Sequence, residues 1–126
     1  MTENEISKMI VNAAIEVHRT LGGPGLLESV YAEALMWELR DAGLEVEREV
    51  HVPIHYKGHL LTTPLRVDLI VGKLVIVECK ATTGYHDIFD AQTLTYLRLT
   101  NLKLGLVINF GERLVKDGIH RIVNGL

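Results

Sequence analysis

Apolar residues recur at helical spacing along residues 3–42 and at alternate positions beyond Glu45, so the chain reads as helices followed by a sheet. Thr2 and Glu5 are spaced as a capping box, which predicts a helix over residues 3–20 with Ile6, Ile10, Ala13 and Val17 inward. Leu21-Gly22-Gly23-Pro24-Gly25 must end it, because three glycines and a proline cannot continue a helix. A second helix is expected from Leu26 to Ala42, with Leu27, Tyr31, Ala34, Leu35 and Leu39 inward and Gly43 as its stop. The period then becomes two. Val46, Val50, Val52 and Ile54 predict one long strand, with a turn at Lys57-Gly58. A short strand at Leu60-Leu61 and longer ones at Leu65–Val71 and Leu74–Lys80 follow. A third helix runs from Asp87, a candidate cap, to Thr100. Leu104–Phe110 has little polar content and reads as a central strand, while Ile119–Val123 is either an edge strand or a frayed helix. The order predicts an α/β fold with helices packed on a mixed sheet.

With 126 residues, 48% of them hydrophobic and 23% charged, the expectation is a single domain, 1–126, with a real core. No apolar stretch approaches the ~20 residues of a membrane helix. Met1–Glu5 lacks the basic start and apolar core of a secretion signal. The single cysteine, Cys79, excludes an intrachain disulfide and suits a reducing compartment, so a cytoplasmic location is expected. The net charge of −3 counts mildly against a nucleic-acid binder, unless several of the acids serve a bound cation.

The chemistry concentrates in Val75-Ile76-Val77-Glu78-Cys79-Lys80. An apolar strand ends there in a carboxylate and an ammonium on one face, with Cys79 on the other. Ten residues upstream, Asp68 interrupts another apolar run. Two converging carboxylates suit a hard divalent cation, and Lys80 beside them could hold or deprotonate a water. The plainer reading is a solvated strand end, since about 0.4 Glu-x-Lys triplets are expected by chance in a chain this long. Glu28 is a third acid, either stabilised at a helix N-terminus or aimed at the same site. Gln92 and Tyr96, one helical turn apart, could brace the ligands or contact phosphate, or be satisfied polar tips on a core-facing helix. Arg98 could meet a backbone phosphate, and His18 or His86 could line the site, although lone histidines are more often structural. No dinucleotide or phosphate-binding glycine loop occurs, and one cysteine without His-x-x-x-His disfavours structural zinc.

The cation site carries a geometric condition. A two-residue turn at Gly72-Lys73 would pair Asp68 with Val77 and turn Glu78 away from it. An odd connection or a bulge is required, so an irregularity is expected between Asp68 and Glu78.

Gly25-Leu26-Leu27-Glu28-Ser29-Val30-Tyr31 resembles the Gly-x-x-Glu-x-x-Tyr pattern of the GxxExxY protein family, within the PD-(D/E)XK nuclease-like superfamily. The resemblance extends through Glu16-Val17-His18-Arg19, Asp68, Glu78-Cys79-Lys80, Gln92 to Arg98, and Gly105–Phe110. It implies a restriction-endonuclease-like core, a mixed β-sheet flanked by helices. It further implies a Mg²⁺ or Mn²⁺ ion held by Asp68, Glu78 and the Cys79 backbone carbonyl, with Glu28 reaching the same ion through water or holding a second one. Lys80 would orient the attacking water. Gln92 and Tyr96, with Tyr31, His18 and Arg98, would support the site or the nucleic acid, DNA being the first expectation. Val67 stands where the motif has proline, and the turn is one glycine longer than the family's. The implied activity is hydrolysis of nucleic-acid phosphodiesters. The alternative is a catalytically silent binding or assembly module, and so small a chain would grip a duplex better as a homo-oligomer.

Overall fold

A computed structural model describes residues 1–126. Glu3–Thr20 forms helix α1, opened by the expected capping box: the Thr2 hydroxyl accepts from Glu5 N–H while the Glu5 carboxylate accepts from Thr2 N–H. Its buried stripe is Ile6, Ile10, Ala14 and Val17. Ala14 is fully buried where Ala13 is expected inward, and Ala13 packs partly buried against the same core. Helix α2, Glu28–Asp41, starts two residues later than expected, and Leu27 precedes it as an exposed N-cap. Tyr31, Ala32, Leu35 and Leu39 are its buried face.

Val46–Val52 is strand β1. The expected continuation to Ile54 fails at Pro53, which has no N–H for a ladder. His55–Tyr56 (β2) and His59–Leu60 (β3) instead form a separate small hairpin. Lys57 and Gly58 at its tip both have positive φ, as a two-residue hairpin turn requires. Leu65–Val71 (β4), Val75–Lys80 (β5), Leu104–Asn109 (β6) and Ile119–Val123 (β7) complete a sheet of order β1-β4-β5-β6-β7. The β5–β6 pair is parallel and the others antiparallel. Helix α3, Ile88–Thr100, makes the crossover between the two parallel strands. Asp87 makes no side-chain cap bond. The tail is the edge strand rather than the frayed helix, entered through a 3-10 turn at Val115–Gly118.

The fold is thus a five-stranded mixed sheet flanked by helices, the restriction-endonuclease-like arrangement. One face packs on α1 and α2 through Val71, Val75, Val77, Leu104, Leu106 and Ile108. The other packs on α3 through Leu65, Val67, Ile76 and Leu97. Gly105 lets α3 approach, since a Cβ there would lie 2.7 Å from the Thr93 methyl. No helix is long and apolar enough to cross a membrane.

Candidate active site

Register brings the two carboxylates together. The connection from β4 to β5 holds three residues, Gly72, Lys73 and Leu74, so Val71 pairs with Val75 and Leu69 with Val77. One step further would pair Asp68 with Glu78. The ladder stops there, and side chains replace it: Glu78 Oε1 accepts from Asp68 N–H at 3.3 Å, and Asp68 Oδ2 accepts from Cys79 N–H at 2.9 Å. The odd connection satisfies the geometric condition set by the sequence.

The strands are also irregular at this level. Glu49 of β1 lies opposite Asp68 but is skipped in the pairing, and its φ of 52° is in the left-handed region. Such a conformation costs a non-glycine residue about 1–3 kcal/mol and persists only where its surroundings enforce it. Across this level β4 changes layers. Leu69 and Val71 pack with α1 and α2, whereas Leu65 and Val67, in the same alternation, pack on the α3 side. The ribbon therefore twists about Asp68, and its carboxylate sits in the gap where β4 and β5 part.

Electrostatics show how close the charges are. Glu78 is buried, and burial, reinforced by the neighbouring Asp68 carboxylate, pushes its carboxyl up to about 8, although the Lys80 charge opposes this. Burial also raises the Cys79 thiol, helped by the charges of Asp68, Glu78 and Glu28. The Tyr96 phenol is raised by its burial and then by the Glu78 and Asp68 charges. Glu28, at the first turn of α2, accepts from Ala81 N–H at 3.3 Å, just beyond the end of β5. Both readings of Glu28 describe it: a helix N-terminus and proximity to the acidic pair. Lys80 lies with its Nζ 4.6 Å from the centre of the Phe89 ring and forms no ion pair. Gln92, exposed, shares the Tyr96 face of α3 one turn away.

Other expected contributors lie elsewhere. His18 is buried, its Nε2 bonded to the Phe110 carbonyl at 3.1 Å. Tyr31 is fully buried, stacks on Phe110 at 4.5 Å, donates to the Gly23 carbonyl and accepts from Leu26 N–H. Tyr31 is fully buried and His18 nearly so. They hold the glycine turn against β6, and so set the start of α2 and Glu28. Arg98 is exposed without a partner, roughly 200° around α3 from Tyr96, and does not share its face. His86 packs its ring edge-on against Phe89.

The structure adds residues that the pattern of the sequence does not single out. A cleft of about 170 Å³ beside Asp68 is lined by Glu28, Ser29, Arg48, Glu49 and Arg66. Arg66 pairs with Glu49 at 2.8 Å, and Arg48 reaches Glu33 and the Ser29 carbonyl. Buried Asn109 ties the exit of β5 to β6: its Oδ1 accepts from Thr82 and Gly111 N–H, and its Nδ2 donates to the Thr82 carbonyl. An asparagine ending an apolar strand two residues before a glycine is the available signal.

No three His, Cys, Asp or Glu side chains gather at ligating distance. The donor set nevertheless fits one hard cation: two interlocked carboxylates, the Asp68 charge opposing ionisation of Glu78, with backbone and water left to complete the shell. Paired acids at the parting of two strands, within a mixed sheet flanked by helices, make this an α/β protein of nuclease type. The chain belongs to the PD-(D/E)XK nuclease superfamily, whose family model matches residues 4–122. That superfamily generally hydrolyses phosphodiester bonds and typically uses divalent metals. Comparisons with curated proteins and with solved structures give no match.

Proposed function

We propose that this protein is a Mg²⁺- or Mn²⁺-dependent nuclease of the GxxExxY type that hydrolyses phosphodiester bonds of nucleic acid, DNA first. The observation that carries the reading is the interlocked Asp68–Glu78 pair at the point where β4 and β5 separate, Glu78 buried and Asp68 half-buried, with the Asp68 charge opposing ionisation of Glu78. Asp68, Glu78 and the Cys79 carbonyl would hold the ion. In extended backbone a residue's N–H and C=O face the same neighbouring strand, and the Cys79 N–H faces Asp68. A bound divalent cation would supply a Lewis acid for the scissile phosphate and lower the pKa of a water.

The remaining work falls to the chain. Lys80, free of any ion pair, would leave Phe89, orient the attacking water and offset developing negative charge. Glu28 would hold a water on the α2 side of the pair. Tyr96 and Gln92 would brace the carboxylates or a phosphate from α3, while Arg48 and Arg66 offer cationic contacts along the cleft. Excess cation would also remove the repulsion between the acids, which suits a net-negative chain acting on a polyanion.

The test incubates the protein with single- and double-stranded DNA and RNA, in Mg²⁺, Mn²⁺ or EDTA. Cleavage leaving 5′-phosphate ends, abolished by EDTA and reduced at least about a hundredfold by Asp68→Ala, is the expected result. Cleavage that persists in Asp68→Ala would identify a contaminant. A protein that binds no metal and cleaves nothing would instead be a silent assembly module, contrary to the proposal.

A further inference from the structure

A second cavity, of about 350 Å³, lies between the end of α1 and the segment following β6. Its size falls within the roughly 300–1,000 Å³ of small-ligand sites. Ile15 and Leu114 give it apolar walls, and Arg19, Arg113 and Lys116 give it positive charge. Arg19 is partly neutralised by Glu16 at 2.6 Å, but Arg113 and Lys116 enter no ion pair. Two uncompensated cations at one cavity stand out in a chain of net charge −3. The C-terminal end of α1 opposes an anion with about half an elementary charge, which is the smaller effect. Its last carbonyls are moreover already engaged, Arg19 by Gly22 N–H and His18 by Gly23 N–H. Glu112 and Asp117 adjoin the cations in sequence but do not line the cavity.

The cavity is linked to the candidate active site. His18 lines it and bonds the Phe110 carbonyl, and Phe110 N–H bonds the carbonyl of Lys80 at 2.8 Å. Two hydrogen bonds thus separate its wall from the end of β5.

We propose that this cavity binds a phosphorylated ligand with an apolar or flat body, of which a nucleoside monophosphate is the smallest form. The phosphate meets Arg113 and Lys116, and the base lies against Leu114 and Ile15. The ligand is either a free nucleotide or one residue of a nucleic-acid strand. The assignment stands apart from the nuclease reading, because the site holds none of Asp68, Glu78 or Lys80 and needs no metal.

The test is calorimetric titration of the full chain in EDTA with a nucleoside 5′-monophosphate, inorganic phosphate and a short single-stranded oligonucleotide. The nucleotide should bind at least about tenfold more tightly than inorganic phosphate. Arg113→Ala with Lys116→Ala, both exposed positions, should weaken it at least about tenfold, while Asp68→Ala leaves it unchanged. Leu114→Asp should weaken it as well, without removing a cation. An oligonucleotide that binds more tightly than the monophosphate identifies the ligand as a strand, and equal affinity identifies a free nucleotide. No binding, equal affinity for inorganic phosphate, or affinity unaltered in the double variant would overturn the assignment.

Discussion

Glu78 is the residue at which stability and function conflict. In the metal-free protein its carboxyl titrates near 8 instead of the ordinary 4.5, so the folded state holds a proton that the unfolded chain releases. The stability this contributes is complete below about pH 4.5 and is lost as pH rises through about 8. In EDTA, urea unfolding should therefore show stability falling across that window, and Glu78→Gln should flatten the slope while abolishing cleavage. A wild-type profile with the same slope as the variant would remove the electrostatic conflict on which the site is built. Lys80 separates chemistry from folding more cleanly. Half-buried against Phe89 and bonded to no carboxylate, it should tolerate replacement by methionine with little loss of stability. Steady-state kinetics of Lys80→Met should show kcat reduced about a hundredfold or more, with KM nearly unchanged, if it acts on the water.

At the scale of elements, the site depends on connections more than on the strands themselves. Asn109 makes three hydrogen bonds that fix Thr82 and Gly111, and a Cβ at Gly111 would lie 2.2 Å from the Thr82 carbonyl oxygen. Asn109→Ala leaves partly buried backbone groups of Thr82 and Gly111 unpaired, and chemical denaturation should record a loss of about 1–3 kcal/mol. Nuclease activity should fall beyond what the unfolded fraction accounts for, because Lys80 lies two residues from Thr82. Gly72 is a second such point, with φ +60° and Ile6 Cδ1 only 2.7 Å from where a Cβ would be. Gly72→Ala should cost about 1–3 kcal/mol by the same assay.

These elements also show what was legible in the chain. The capping box, the helical periodicity before Gly43 and the apolar runs of β4 and β5 are local patterns, and each forms the expected element with shifts of one or two positions. The acids Asp68 and Glu78 could be selected because each interrupts an apolar run. Their meeting depends on a three-residue connection, and Leu74 looks like the start of a strand until its pairing is known. The left-handed Glu49 has no sequence signature, since glutamate has no preference for that conformation. Arg48 and Arg66 reach the cleft from two strands brought together by register. His18 and Tyr31 were placed by spacing in the motif, and spacing does not distinguish a side chain that enters a site from one that supports its loop.

For the molecule as a whole, the sheet has two cores of unequal size, nineteen buried residues on the α1–α2 side and four on the α3 side. The acidic pair sits at the boundary between them, where β4 changes layers, so a ligand there touches both halves of the fold. Divalent cation should accordingly stabilise the entire protein: thermal unfolding should rise with Mn²⁺ concentration in the wild type, by the mass-action law, and not in Asp68→Ala. The most direct measurement is a Mn²⁺-soaked crystal examined by anomalous scattering. A peak between the Asp68 and Glu78 carboxylates, at roughly 2.0–2.3 Å from an oxygen of each, is the predicted result. Density for manganese elsewhere, or none at the parting of β4 and β5, would contradict the account.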